Sequence, residues 1–301
     1  MRIVFTPALA LALAFTSHTT PQSDANNASG TNAWIGGGAS NSATGVVCSI
    51  GGGEGNRADG VYGAITGGQS NTITTTSTGT LGGHSAIGGG YNNKVTATCG
   101  VIPGGSSNSA SGYSSVVGGG WLNTGEADFS VIAGGSSNSI NADAATSVIG
   151  GGKSNTAAAQ YSIIGGGYNN FGGGYASSIG GGGGNAAASR FGVVAGGYTN
   201  FVSNDSHAAF IGGGYTNSVH TANQAVVAGG RSNTATGGDY AVIGGGLFNI
   251  AHSKYGVNAG GYANYNSAVA SSIGGGWGNN ASSPYAAIAG GYFNSITGVA
   301  E

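Results

Sequence analysis

Charge is the scarcest property of this sequence. Only 5% of its 301 residues are charged, and the formal net charge is −2. Nothing electrostatic therefore recommends nucleic acid or an anionic membrane surface as a partner. Proline is nearly missing, at four residues, and the 66 glycines do not fall at every third position. A collagen triple helix, which needs both, is excluded. Disorder is disfavoured too, because disordered chains are short of β-branched and aromatic residues, whereas Ile, Val and Tyr recur here at regular intervals. No later segment approaches the ~18 apolar residues of a membrane-spanning helix. The nine acidic residues are scattered, with Asp59, Glu126 and Asp143 at unrelated positions, so no pair of carboxylates is set up for hydrolysis.

What is present is a repeat. Aligned on the Ile or Val before the glycines, segments share the order aromatic, small, apolar, Ile/Val, small, Gly, Gly, any, any, Asn; Y-S-I-I-G-G-G-Y-N-N (161–170) and F-S-V-I-A-G-G-S-S-N (129–138) show it. The anchors are Ile35, Ile50, Ile65, Ile87, Ile102, Val117, Ile132, Ile149, Ile164, Ile179, Val194, Ile211, Val227, Ile243, Asn258, Ile273 and Ile288. Eleven of the sixteen steps between these seventeen copies are 15 residues; one is 22, with an insertion near Thr74 to Thr80, two are 17 and two are 16. Helical repeats need longer periods and tolerate glycine poorly. The expectation is an all-β parallel β-solenoid, one copy per coil, with coils ~4.8 Å apart and a rod of roughly 80 Å.

Six residues after each anchor stands an asparagine: Asn41, Asn56, Asn71, Asn93, Asn108, Asn123, Asn138, Asn155, Asn170, Asn185, Asn200, Asn217, Asn233, Asn249, Asn264, Asn279 and Asn294. Stacked in register, these form a structural ladder that turns the chain and satisfies backbone groups; Gly-Gly and Asn together suit a corner with positive φ. Two residues before the anchor the side chain is small (Ala33, Cys48, Gly63, Ser85). One residue before, it is usually apolar (Trp34, Val101, Val131, Ile163, Val193, Phe210, Val242). Neighbouring strand residues face opposite ways, so an apolar pair implies burial on both faces, the outer one against identical chains. Eight residues after the anchor, small or apolar residues such as Ala43, Ile73 and Val95 suggest a second short strand. Cys48 and Cys99 then lie three coils apart, about 14 Å, too far for an intrachain disulfide. Free buried thiols are expected, with interchain bridging as the alternative.

The aromatic side chains fall into two series. Four residues after the anchor stand Tyr91, Trp121, Tyr168, Tyr198, Tyr215, Tyr262, Trp277 and Tyr292, a candidate row of exposed rings for glycans or apolar protein groups; the alternative is ring stacking or burial between chains. Three residues before the anchor, Tyr62, Phe129, Tyr161, Phe191, Tyr240, Tyr255 and Tyr285 suit a chain–chain interface. Chemistry is not evident. His18, His84, His207, His220 and His252 share no repeat position, which gives no metal spacing. Asp205, Ser206 and His207 are consecutive, whereas a catalytic triad converges from separate places. Neither P-loop spacing nor the calcium pattern G-G-x-G-x-D recurs. No catalytic residue, metal or cofactor is assigned.

At the N-terminus, Arg2 followed by the mostly apolar run from Ile3 to Phe15 reads as a secretory signal, with cleavage between Thr16 and Ala28. Residues 1–26 are assigned to signal and polar leader and 27–301 to a single repeat domain, secreted or at the cell surface.

The segments S-S-V-V-G-G-G-W-L-N-T-G (114–125) and Y-A-V-I-G-G-G-L-F-N-I-A (240–251) resemble the head repeats of YadA-type trimeric autotransporter adhesins, and the resemblance runs from residue 31 to 298. It implies a left-handed parallel β-roll, a homotrimer of side-by-side chains, and adhesion to surface glycans or matrix proteins. The Gly-Gly pair departs from the single Gly of many such heads. The family's stalk and membrane anchor have no counterpart here, which suggests a secreted or fibre-associated head. Two other functions fit the repeat: a structural filament or surface-layer subunit growing end to end, and an ice-binding solenoid. The latter needs a regular Thr face, and Thr72 to Thr80 does not recur.

Overall fold

The computed structural model describes residues 25–75 and 83–298. The signal and most of its leader, and most of the Thr74 to Thr80 insertion, lie outside these residues.

The described chain is a parallel β-solenoid without helix. Each coil contributes one strand that ends on the anchor, from Trp34–Ile35 to Ala287–Ile288, and a second strand seven and eight residues after the anchor, from Ser42–Ala43 to Ser295–Ile296. The first kind forms a 17-stranded parallel sheet and the second an 18-stranded one. Every strand pairs in register with its equivalent one coil away, as in Ile35↔Ile50 and Ala43↔Ala58. The eighteenth strand, Asn27–Ala28, precedes the first copy of the repeat. A third ladder, of single parallel bridges four residues after each anchor, runs from Ala39 to Tyr292.

The core is one column of anchors facing one column of second-strand residues. Ile50, Ile65, Ile87 and Ile102 are buried opposite Ala58, Ile73, Val95 and Ala110, and small side chains such as Cys48, Ser85 and Ser115 fill the remaining width. In each strand the second residue points in and the first points out. The residue before the anchor is therefore a surface stripe on a single chain, with Ile163 at 51% exposure. The outward second-strand positions are more polar, with Ser42, Arg57, Thr72, Lys94, Ser109 and Thr124 in sequence. The rod thus has one more polar flat face and one largely apolar flat face.

The corners differ from the expectation in one respect. Left-handed φ values recur at the glycine three residues after the anchor, as in Gly167 (85°), at the residue before the asparagine, as in Asn169 (54°), and at the third residue before the anchor, as in Tyr161 (59°). The ladder asparagines themselves keep negative φ. A left-handed residue flips its peptide, and the hydrogen bonds give the reason. The N–H groups of Ile163, Gly165, Tyr168 and Phe171 donate to the next coil, while those of Asn169 and Ala176 donate back to the preceding one. Those bonds offset the ~1–2 kcal/mol that a side chain loses in this region.

Both cysteines are free; Cys48 is buried and Cys99 half-buried. Burial pushes the Cys48 thiol above its ordinary pKa, with a smaller push from Asp59.

Candidate functional site

Two features stand out: an internal polar ladder along the rod and an external edge that carries aromatic side chains in eight coils from Tyr91 onward. The ladder asparagines are buried from Asn41 to Asn279 and exposed only at Asn294. Each amide occupies both hydrogen-bonding ends. Asn170 Nδ2 donates to Gly166 O of its own coil (2.9 Å) and to Gly182 O of the next (3.0 Å), while its Oδ1 accepts the Asn185 N–H (3.0 Å). The same set repeats at Asn56 and Asn249. Asn26, which lies ahead of the first recognisable copy, belongs to it too: its Oδ1 accepts the Asn41 N–H at 2.9 Å and its Nδ2 donates to Gly38 O. Only the regular 15-residue offset from Asn41 marks Asn26 in the sequence, because no anchor precedes it.

The aromatic edge follows from the corner beside this ladder. A left-handed glycine comes before each bridge residue and a left-handed residue after it. Held between them, the side chain four residues after the anchor projects outward. Tyr91, Trp121, Tyr168, Tyr198, Tyr215, Tyr262, Trp277 and Tyr292 all do so, with exposures from 41% to 62%. They do not form one continuous row. Tyr168, Tyr198 and Tyr215 make one group, with ring centroids 6.3 and 5.4 Å apart, and Arg231 lies 5.3 Å over the Tyr215 ring. Tyr262, Trp277 and Tyr292 make a second, edge to face at 5.4 and 5.1 Å, joined by Phe248 and Phe293. Tyr91 and Trp121 stand apart, with Ser106 between them in the bridge ladder.

Gly183 shapes the first group. A Cβ there would lie 2.5 Å from the Tyr168 ring, which leans across it towards Tyr198. Partial desolvation, followed by the adjoining Tyr198 phenol, raises the Tyr168 pKa above the ordinary tyrosine value. On the other side of Tyr168 a shallow depression is lined by Lys153, Ser154 and Asn169. Rings, a cation and an amide therefore converge within neighbouring coils.

The series before the anchor occupies a different corner and is exposed as well. Its rings meet partners that the repeat alignment did not single out: Tyr113 beside Phe129, and Tyr175 between Tyr161 and Phe191, with Arg190 over both Tyr175 and Phe191.

The Asp205–His207 turn holds its serine inward. Ser206 Oγ is buried against Ser203 Oγ (3.1 Å) and accepts the Ala222 N–H, while His207 is exposed. Among the described residues no three His, Cys, Asp or Glu side chains gather as a metal site, and no helix is long and apolar enough to cross a membrane. Hydroxyls do recur on the outward second-strand face, but Arg57, Lys94, Phe171, Phe201 and Ile250 interrupt them. The sequence matches no protein-family model and has no match among curated proteins.

Proposed function

We propose that this chain is a non-catalytic extracellular binding rod, an adhesive head or fibre segment that holds surface glycans or protein apolar groups on its aromatic edge. The observation that carries this reading is the series of eight half-exposed rings four residues after the anchors, presented by the equivalent corner of eight of the seventeen coils. Sugar rings and apolar side chains both stack on such faces, and large exposed aromatics on a soluble surface mark interaction sites. The Tyr168–Tyr198–Tyr215 group, flanked by Lys153 and Arg231, is its best-formed part. The test is a glycan and matrix-protein array probed with the chain and with the Tyr168→Ala/Tyr198→Ala variant. Binding should fall by roughly ten- to a hundredfold. Equal binding by the variant, with an unchanged circular dichroism spectrum, removes the row from the reading.

The rod is proposed to work as side-by-side copies, a homotrimer. The support is the outward apolar stripe, exposed at Trp34, Ile163, Phe210 and Val257 and half-exposed at Val101 and Val131, a flat face of the kind proteins seldom leave to water. Light scattering after size exclusion should give a threefold mass for the chain, reduced to a single chain by Ile163→Lys with Val257→Lys. A monomeric parent would refute the trimer.

A further inference from the structure

One coil breaks the core. In sixteen of the seventeen copies the anchor is Ile or Val, but in the fifteenth it is Asn258. The facing column changes in the same coil, where Asn266 stands at the place of Ala251 and Ala281. Both asparagines are fully buried. The apolar core is accordingly interrupted: one cluster runs from Ala43 to Ala251, and a separate one holds Ile273, Ala281, Ala286 and Ile288.

The polar groups of this coil are only partly satisfied. Asn266 Nδ2 donates to Ser271 O (2.7 Å) and Val257 O (3.2 Å), and its Oδ1 receives the Ser253 and Ser271 hydroxyls. Those hydroxyls also lie 2.6 and 2.5 Å from Ala268 O. A hydroxyl carries one proton, so two donors serve four short contacts. Asn258 Nδ2 donates to Asn264 O (3.1 Å), but its Oδ1 accepts nothing. Among the described residues the other buried side-chain atoms without a partner are hydroxyls, which can rotate; an amide oxygen fixed in an apolar column cannot.

In a solenoid each coil is held only by its neighbours, so stability is close to a sum of nearest-neighbour terms. A coil that offers Asn where both neighbours offer Ile makes two weak couplings in a row, to Ile243 on one side and Ile273 on the other. We propose that this polar plug divides the rod, so that the coils from Val257 to Ile296 open together as one unit while those up to Ala251 stay closed. Opening uncovers the strand edges of Val242–Ile243 and Ile250–Ala251, which become templates for strand addition. The backbone ladders and the asparagine ladder continue through the plug, so the path of the chain is unchanged and only its cooperativity is cut.

Hydrogen exchange followed by mass spectrometry tests this directly. In the parent chain, amides from Val257 to Ile296 should exchange with one common rate, roughly ten- to a hundredfold faster than those from Val131 to Ile243, with a step at the plug. Asn258→Ile with Asn266→Ala restores the side chains of the other copies, and Ser253 and Ser271 keep Ala268 O as acceptor. The step should then shrink or vanish. Asn258→Val alone, which removes the unpartnered oxygen and installs the anchor side chain found at Val117, Val194 and Val227, should move the profile the same way. A smooth gradient towards the last coil in the parent, or an unchanged step in both variants, overturns the proposal.

Discussion

Alanine at Gly182 is expected to disrupt the solenoid, while alanine at its neighbour Gly181 leaves it as stable as before. The two glycines are adjacent in the same corner, yet their surroundings are opposite. A Cβ on Gly181 would meet nothing within 4 Å. On Gly182 it would sit 2.0 Å from Gly197 O and 2.9 Å from Gly197 N, in a residue with φ of 85°. Left-handed backbone alone costs a side chain about 1–2 kcal/mol. The clash adds to this because the obstructing atoms are backbone of the next coil, whose position is fixed by the ladder. We expect Gly182→Ala to cost at least about 3 kcal/mol, among the large single-substitution effects, and Gly181→Ala to stay within about 0.5 kcal/mol. Denaturant unfolding followed by circular dichroism measures both. Equal midpoints for the two variants would refute the obligatory role of the third glycine.

The second large effect is expected at the ladder. Asn170→Ala removes the donor to the part-buried Gly166 O and the acceptor of the buried Asn185 N–H; Gly182 O keeps the Tyr168 N–H. At ~1–3 kcal/mol for each of the two unsatisfied groups, the loss is about 2–6 kcal/mol. Asn170→Asp is the sharper test. A carboxylate still accepts from Asn185, but it cannot donate, and it faces the two carbonyl oxygens of Gly166 and Gly182. Burial among acceptors raises the folded-state pKa of such an acid above its unfolded value of about 3.9. The variant therefore loses least below pH ~4, where the acid is protonated in both states, and loses progressively more as pH rises through the raised folded value. The unfolding midpoint of Asn170→Asp relative to the parent should thus fall between about pH 4 and pH 7. A pH-independent difference would mean that the amide is replaceable there.

Much of this architecture is legible in the sequence because a solenoid uses each residue type in one place many times over. The anchor column, the second strand eight residues later and the asparagine ladder each recur in register, and all three are where the spacing puts them. The third bridge ladder was not legible, because its residues include Ala39, Glu54, Ser106, Lys153, Gly183 and Leu247. Such a position is fixed by backbone bonds and leaves its side chain free, so no residue type identifies it. The left-handed residues before the anchor were hidden for a related reason. Bulky Tyr62 and Phe129 occupy a φ that their side chains disfavour, compensated by N–H bonds to Val46 O and Tyr113 O of the preceding coil. The aromatic row was readable as a series, but its division into two groups depends on ring orientations. All length variation in the repeat falls after the second strand, since the asparagine and both strands keep their offsets in every copy.

That constancy has a mechanical meaning. The ladder bonds point along the rod, across the strands, so a pull on its two ends loads them one coil at a time instead of all together. Each coil that peels away converts a rise of ~4.8 Å into 15 residues of free chain, about 50 Å when drawn taut. Under tension the coils before the Asn258 plug would pay out length in small, nearly equal steps at modest force, while the three behind it leave together, and the rod would rewind by re-adding coils on the edge that stayed folded. A tether of this kind yields before it breaks.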